Sequence, residues 1–114
     1  MTSNVPTPAT VPEGTVSVRI AAGIGYLEFF HPKGNSLPGA LLRQLAAEIT
    51  ALGANPEVRV ISLQSGGTGP FCAGASFDEL VAISNEAQGQ EFFSGFSRVI
   101  LAMIRAPKFV LSRV

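Results

Sequence analysis

The chain has 114 residues, eight Lys and Arg against eight Asp and Glu, 14% charged and 46% hydrophobic residues. That length fits one domain, yet the charge content falls well short of the ~25% usual for soluble proteins, so part of the surface is expected to be covered by other protein. Zero net charge without a basic block argues against a nucleic-acid partner, and a single cysteine, Cys72, excludes an internal disulfide and a cysteine-based zinc site.

Residues 1–14 carry three of the eight prolines and no apolar periodicity, and are expected to form a disordered leader. No Lys or Arg precedes Arg19, so neither a secretory signal nor a transit peptide is expected. The lone thiol fits a reducing, cytoplasmic setting. The longest purely apolar run, Val99 to Ile104, is far too short to span a bilayer.

From Thr15 the apolar positions alternate (Val16, Val18, Ile20), and after a turn at Gly23 the run from Ile24 to Phe30 resumes, which predicts a β-hairpin. Asn35-Ser36-Leu37-Pro38 reads as a helix start with Ser36 as N-cap and Pro38 in the first turn. Leu41, Leu42, Leu45, Ile49 and Leu52 then recur at helical spacing, with Gly53 in the place of a terminating glycine. Val58 to Leu63 predicts a buried strand, parallel to a neighbour because a helix precedes it. A short helix over Phe77–Ile83 and a longer one over Glu86–Arg105 follow, the latter with an apolar stripe of Phe92, Phe96, Val99, Ile100 and Met103. Pro107 stops it, and Lys108 to Val114 starts another strand. This order implies an α/β fold.

The segment Gly66 to Ala75 is Gly-rich, follows a buried strand and precedes a helix, which is where α/β folds bind ligands. Small residues let a ligand approach the backbone, and outward amides at a helix start can hold an anion or a developing oxyanion; a tight connection without a role fits the spacing as well. No Gly-Lys-Ser/Thr is present for a phosphate loop. Asp78 and Glu79 point in different directions on a helix and suit its N-terminus through the dipole. His31, beside Pro32, reads as an exposed loop residue; no spacing rule joins it to Ser76 and Asp78 as a triad. Cys72 reads as a packing residue beside Phe71 rather than a nucleophile. The apolar stripe of the long helix reads as core or as a subunit contact.

At Phe71-Cys72-Ala73-Gly74-Ala75-Ser76-Phe77-Asp78-Glu79-Leu80 the chain resembles the enoyl-CoA hydratase/isomerase family, the crotonases, whose hallmark there is an aromatic, two small residues and Gly-Ala-Asp. Asn35-Ser36-Leu37 is similar to the family's Asn-Ala-Leu, Asn55-Pro56-Glu57-Val58-Arg59-Val60-Ile61 to its Asp-Pro-x-Val-Arg-x-Val, and Pro107-Lys108 to Val114 to its Pro-Lys-Pro-x-Ile-Ala-x-Val. The resemblance spans residues 15–114 and implies a crotonase-like ββα spiral, trimeric or a dimer of trimers in the parent. The implied substrate is an acyl-CoA thioester, coenzyme A entering only as part of it; no separate cofactor and no metal are expected. Ala75 would give one backbone N–H of an oxyanion hole, and Ala73, Gly74, Ala75, Ser76, Phe77 and Asp78 would line the coenzyme. Ser76 stands where the family has aspartate. The second oxyanion donor and the acid–base glutamates of the hydratases belong to later parts of the family's sequence. The resemblance therefore implies the front half of the domain, an enzyme by kinship but not competent alone. A non-catalytic CoA-binding or assembly module, and an unrelated nucleotide-binding α/β domain, are the competing expectations.

Overall fold

Strands β1 (Thr15–Ala21) and β2 (Ile24–Phe30) form the expected hairpin, paired antiparallel from Thr15↔Phe30 to Ala21↔Ile24. Its two turn residues, Ala22 and Gly23, both have left-handed backbone (φ 53° and 80°), the condition of a tight turn whose twist matches the strands. The computed structural model describes residues 14–114. The leader expected over 1–14 lies outside them but for Gly14.

After β2 come a two-residue strand β3 (Ser36–Leu37), helix α1 (Gly39–Ala54), strand β4 (Val60–Ser65), a second two-residue strand β5 (Gly74–Ala75), helices α2 (Phe77–Ala82) and α3 (Glu86–Arg105), and strand β6 (Phe109–Arg113). The main sheet has the order β1-β2-β4-β6, with β2, β4 and β6 mutually parallel. β3 and β5 form a separate parallel pair, Ser36↔Gly74 and Leu37↔Ala75.

The core lies between α1 and the sheet. Leu41, Leu42, Leu45, Ile49 and Leu52 of α1 are buried with Leu27 and Phe29 of β2 and Ile61 and Leu63 of β4, so helical and alternating periods meet on one apolar surface. α3 lies against α1, where a side chain at Gly95 would come within 3.0 Å of Leu42 Cδ1. The inward face of α3 and its C-cap is Phe92, Phe96, Val99, Met103 and Ala106, with Ala102 beside them. Ile100, expected on that stripe, is exposed. The buried face steps by four, three, four and three residues, and Ile100 sits one residue, about 100°, off it.

Two further expectations change. Ser36 is not the N-cap of α1. It lies in β3 and is buried, and the cap position belongs to Pro38, which makes no side-chain cap bond. Gly53 does not end α1, which runs on to Ala54 and leaves the helix through an extended Asn55 (φ −81°, ψ 119°). Both ends of α1 also take polar partners from distant segments, although the Asn55 N–H already bonds Leu52 O at 3.2 Å. Glu79 of α2 accepts from Gly39 N at 2.9 Å. At the other end, the Lys108 ammonium donates to Leu52 O at 3.0 Å and Asn55 O at 2.5 Å. A carboxylate at the start and an ammonium at the end both oppose the helix dipole.

Gly53 thus sits in the last turn of α1 without left-handed backbone, and a Cβ there would meet Pro107 Cδ at 3.4 Å, an ordinary contact. Gly53→Ala is expected to stabilise the chain by about 0.5–1 kcal/mol through helix propensity. Thermal denaturation checks this as a higher midpoint.

Candidate functional site

The Gly-rich segment leaves β4 at Ser65 and reaches β5 at Gly74. One residue organises it. Asn35 is 2% exposed and has left-handed backbone (φ 60°), a conformation that asparagine tolerates better than most side chains. Its Nδ2 donates to Gly66 O at 3.1 Å and Pro70 O at 2.9 Å, its Oδ1 accepts from His31 N at 2.7 Å, and its own carbonyl accepts from Ala73 N at 3.3 Å. The side chain thereby uses both its donor and its acceptor capacity inside the protein, tying two points of the loop to one buried residue.

β3 continues directly from Asn35 and holds β5 by parallel pairing. In a parallel pair the N–H and C=O of a residue face the same side of its strand. Pro38 has no N–H to give, so the Leu37–Ala75 pairing runs through the amide and carbonyl of Leu37. The N–H of Ala75 therefore faces away from β3. Gly74 beside it has φ 94°, which favours glycine, while a Cβ there would meet nothing within 4 Å. Glycine is required at that point by backbone direction and not by crowding.

The six residues singled out from the sequence form one continuous stretch leading into α2. Ala73 is exposed, and Gly74 and Ala75 are half-buried. Ser76 is buried and turned inward, its Oγ accepting from Glu79 N at 3.4 Å as the N-cap of α2. Serine and aspartate are both strong N-caps, so serine at this position keeps the local structure that aspartate would give. Phe77 is 71% exposed. Asp78 is exposed and pairs with Lys33 Nζ at 2.6 Å. Immediately beside the Ala75 amide stand small residues, Ala73, Gly74 and Ser76, while the large exposed side chains of the stretch, Phe77 and Asp78, belong to α2.

α2 contains no buried residue. Polar contacts tie it to the body: Ser76 within its own first turn, Asp78 to Lys33, and Glu79 to the start of α1. Asp78 and Glu79 both lie in the first turn of α2, as the dipole reading expects, and Glu79 also serves the neighbouring helix. The cause is that Pro38 brings no side-chain acceptor to α1.

His31 corrects its expectation. It is 5% exposed rather than a solvent-facing loop residue, and its Nδ1 accepts from Lys33 N at 3.1 Å with Ser36 Oγ at 3.4 Å. It shapes the turn before Asn35 and makes no bond to Ser76 or Asp78. Cys72 is half-buried against the core, and its Sγ accepts from Gly74 N at 3.3 Å.

A crevice of about 380 Å³ opens at the C-terminal ends of β4 and β6, lined by Gln64, Ser65, Gly67, Gly69, Phe71 and Arg113 among others. The larger groove of about 720 Å³ between α1 and α3 includes none of residues 71–78. On α3, the Glu91 carboxyl is held below its ordinary range by hydrogen bonds from Arg98, an exposed pair that solvent screens. Among the described residues there is no group of three or more metal-ligating side chains, and no helix long and apolar enough to cross a membrane.

With this geometry in hand, comparison with known proteins is specific. The family model described as enoyl-CoA hydratase/isomerase matches residues 19–114. The chain is similar to an enoyl-CoA hydratase from Mycobacterium smegmatis, with 29% identity over 87% of this chain and 39% of that one and a TM-score of 0.78. An enoyl-CoA hydratase from Bacillus anthracis shows 26% identity over 85% of this chain and 38% of that one, also with a TM-score of 0.78. An enoyl-CoA hydratase from Bacillus halodurans shares the fold at 20% identity and a TM-score of 0.77, again over 85% of this chain. The chain thus spans about two fifths of the length of these structures. No curated protein matches. The architecture is the crotonase-like α/β fold, over a front portion of the domain; an unrelated nucleotide-binding domain is set aside.

Glu79→Ala is expected to destabilise the chain by about 0.5–2 kcal/mol, the range for losing a helix cap, although residue 79 is outside the helix it caps. Glu79→Gln keeps an acceptor and is expected to lose less. Urea denaturation of the two variants against the parent chain measures the difference.

Proposed function

The chain belongs to the enoyl-CoA hydratase/isomerase family, and on that footing we propose that Ala73 to Asp78 form the part of an acyl-CoA site that holds the thioester. The reading is carried by one observation: the Ala75 N–H lies off the β3–β5 ladder, among small residues. A thioester carbonyl placed against it accepts its hydrogen bond. As the carbonyl gains enolate character, negative charge grows on that oxygen and the bond strengthens, so the donor favours the transition state over the ground state. That charge develops as the oxygen of water bonds to C3 of the 2,3-double bond, a proton then being returned to C2, or as a proton leaves one carbon of the acyl chain and is returned at another. The pantetheine and adenine lie along Ala73, Gly74, Ala75, Ser76, Phe77 and Asp78 through backbone contacts, in keeping with the small residues from Ala73 to Ala75 and the inward-turned Ser76.

In this reading the complete site takes a second backbone donor and the acid–base glutamates from other parts of the family's domain. The parent protein assembles as a trimer or a dimer of trimers. The low charge content and the exposed Phe77, Phe93, Ile104 and Phe109 support such burial. The single thiol supports a reducing, cytoplasmic setting.

Two measurements test the proposal. Titrating acetyl-CoA into the isotope-labelled 114-residue chain should shift the amide resonances of Ala73 to Asp78, that of Ala75 most; unchanged resonances there would refute the site. With one donor of the pair, enoyl-CoA hydration by this chain alone should stay at background, since a missing oxyanion donor alone costs about 10²–10³ in rate. A spectrophotometric hydratase assay showing turnover would contradict this.

A further inference from the structure

We infer that Asn35 is a positioning residue for the thioester: it sets the direction of the Ala75 amide without touching the ligand. The inference rests on the proposed acyl-CoA site and goes beyond it by naming what aims the donor.

Three features converge on this residue. Its side chain donates to two carbonyls at separate points of the Gly-rich loop, Gly66 O and Pro70 O, 31 and 35 residues along the chain. Its carbonyl holds Ala73, two residues before the donor. Its left-handed backbone sends the chain into Ser36 and Leu37, which pair with Gly74 and Ala75. One residue therefore anchors the start, the middle and the end of the loop. A neutral amide is the side chain that fits, because it must accept from His31 N on one side and donate twice on the other. The Asn35 side chain itself is 2% exposed, and its bond from His31 N is buried.

Two substitutions separate the backbone from the side chain. Asn35→Gly keeps the left-handed conformation and removes the side-chain bonds. Asn35→Asp keeps the acceptor for His31 N but turns a carboxylate toward the two carbonyls. The isotope-labelled chain is titrated with acetyl-CoA, and the Kd is read together with hydrogen exchange of the loop amides. In Asn35→Gly the Kd should weaken about tenfold or more, as misplacement of a positioned group does. The Ala73 and Ala75 resonances should move and exchange faster, while those of β2, β4 and α1 stay in place. Asn35→Asp should show the same signature more strongly.

Parent-like Kd and loop resonances in a folded Asn35→Gly chain would overturn the inference while leaving the site intact. Altered loop resonances with a parent-like Kd would overturn it too, reducing Asn35 to a loop clamp. Should Asn35→Gly not fold, parent-like binding by Asn35→Asp would do the same. Absence of any acetyl-CoA response in the parent chain would overturn the site and the inference together.

Discussion

The organisation of this chain depends on a helix whose two ends draw polar partners from late in the sequence. α1 supplies the apolar ridge that buries β2 and β4, yet it begins after a proline without a capping side chain and ends without a basic residue in its last turn. Its open N–H and C=O groups would face poor solvation. Glu79 and Lys108 supply partners there from 40 and more than 50 residues away in sequence. Both come from segments flanking functionally interesting turns: Glu79 follows the Gly-rich loop, and Lys108 precedes β6. The demand of α1 for polar partners thus ties late parts of the chain to the first helix, and places the loop that lies between them.

Much of this was legible from residue periodicity. The hairpin, α1, β4, α2, α3 and β6 follow from alternation, from helical spacing and from Pro and Gly as punctuation, because their burial repeats along each element. The β3–β5 pair is different. Two residues have no period, and Leu37 reads equally well as the first apolar position of the next helix. Asn35 escaped for a related reason: its partners are Gly66, Pro70 and Ala73, which no local pattern joins to it. His31 looked exposed because a proline follows it; its burial depends on the same long-range closure.

The motif resemblance located the stretch from Ala73 to Asp78, and the fold supplies physical reasons for several of its letters. Asn35 clamps the loop, Ser76 starts α2 in the role open to aspartate, and Lys108 caps α1. The side chains of all three bond to the protein's own backbone. A Gly at 74 is set by φ, and small residues on either side leave the backbone accessible. The positions bearing strong sequence signals are thus those where geometry permits few side chains.

Pro38 has a wider consequence than ending β3. Two short parallel strands can pair in two phases, differing in which set of amides looks inward. An ordinary residue at position 38 would offer its N–H to the Ala75 carbonyl and make the second phase available, with the Ala75 amide consumed by Ser36. The imino acid deletes that alternative. A donor missing from one strand thus removes a degeneracy in the other, and the orientation of the loop is chosen by subtraction.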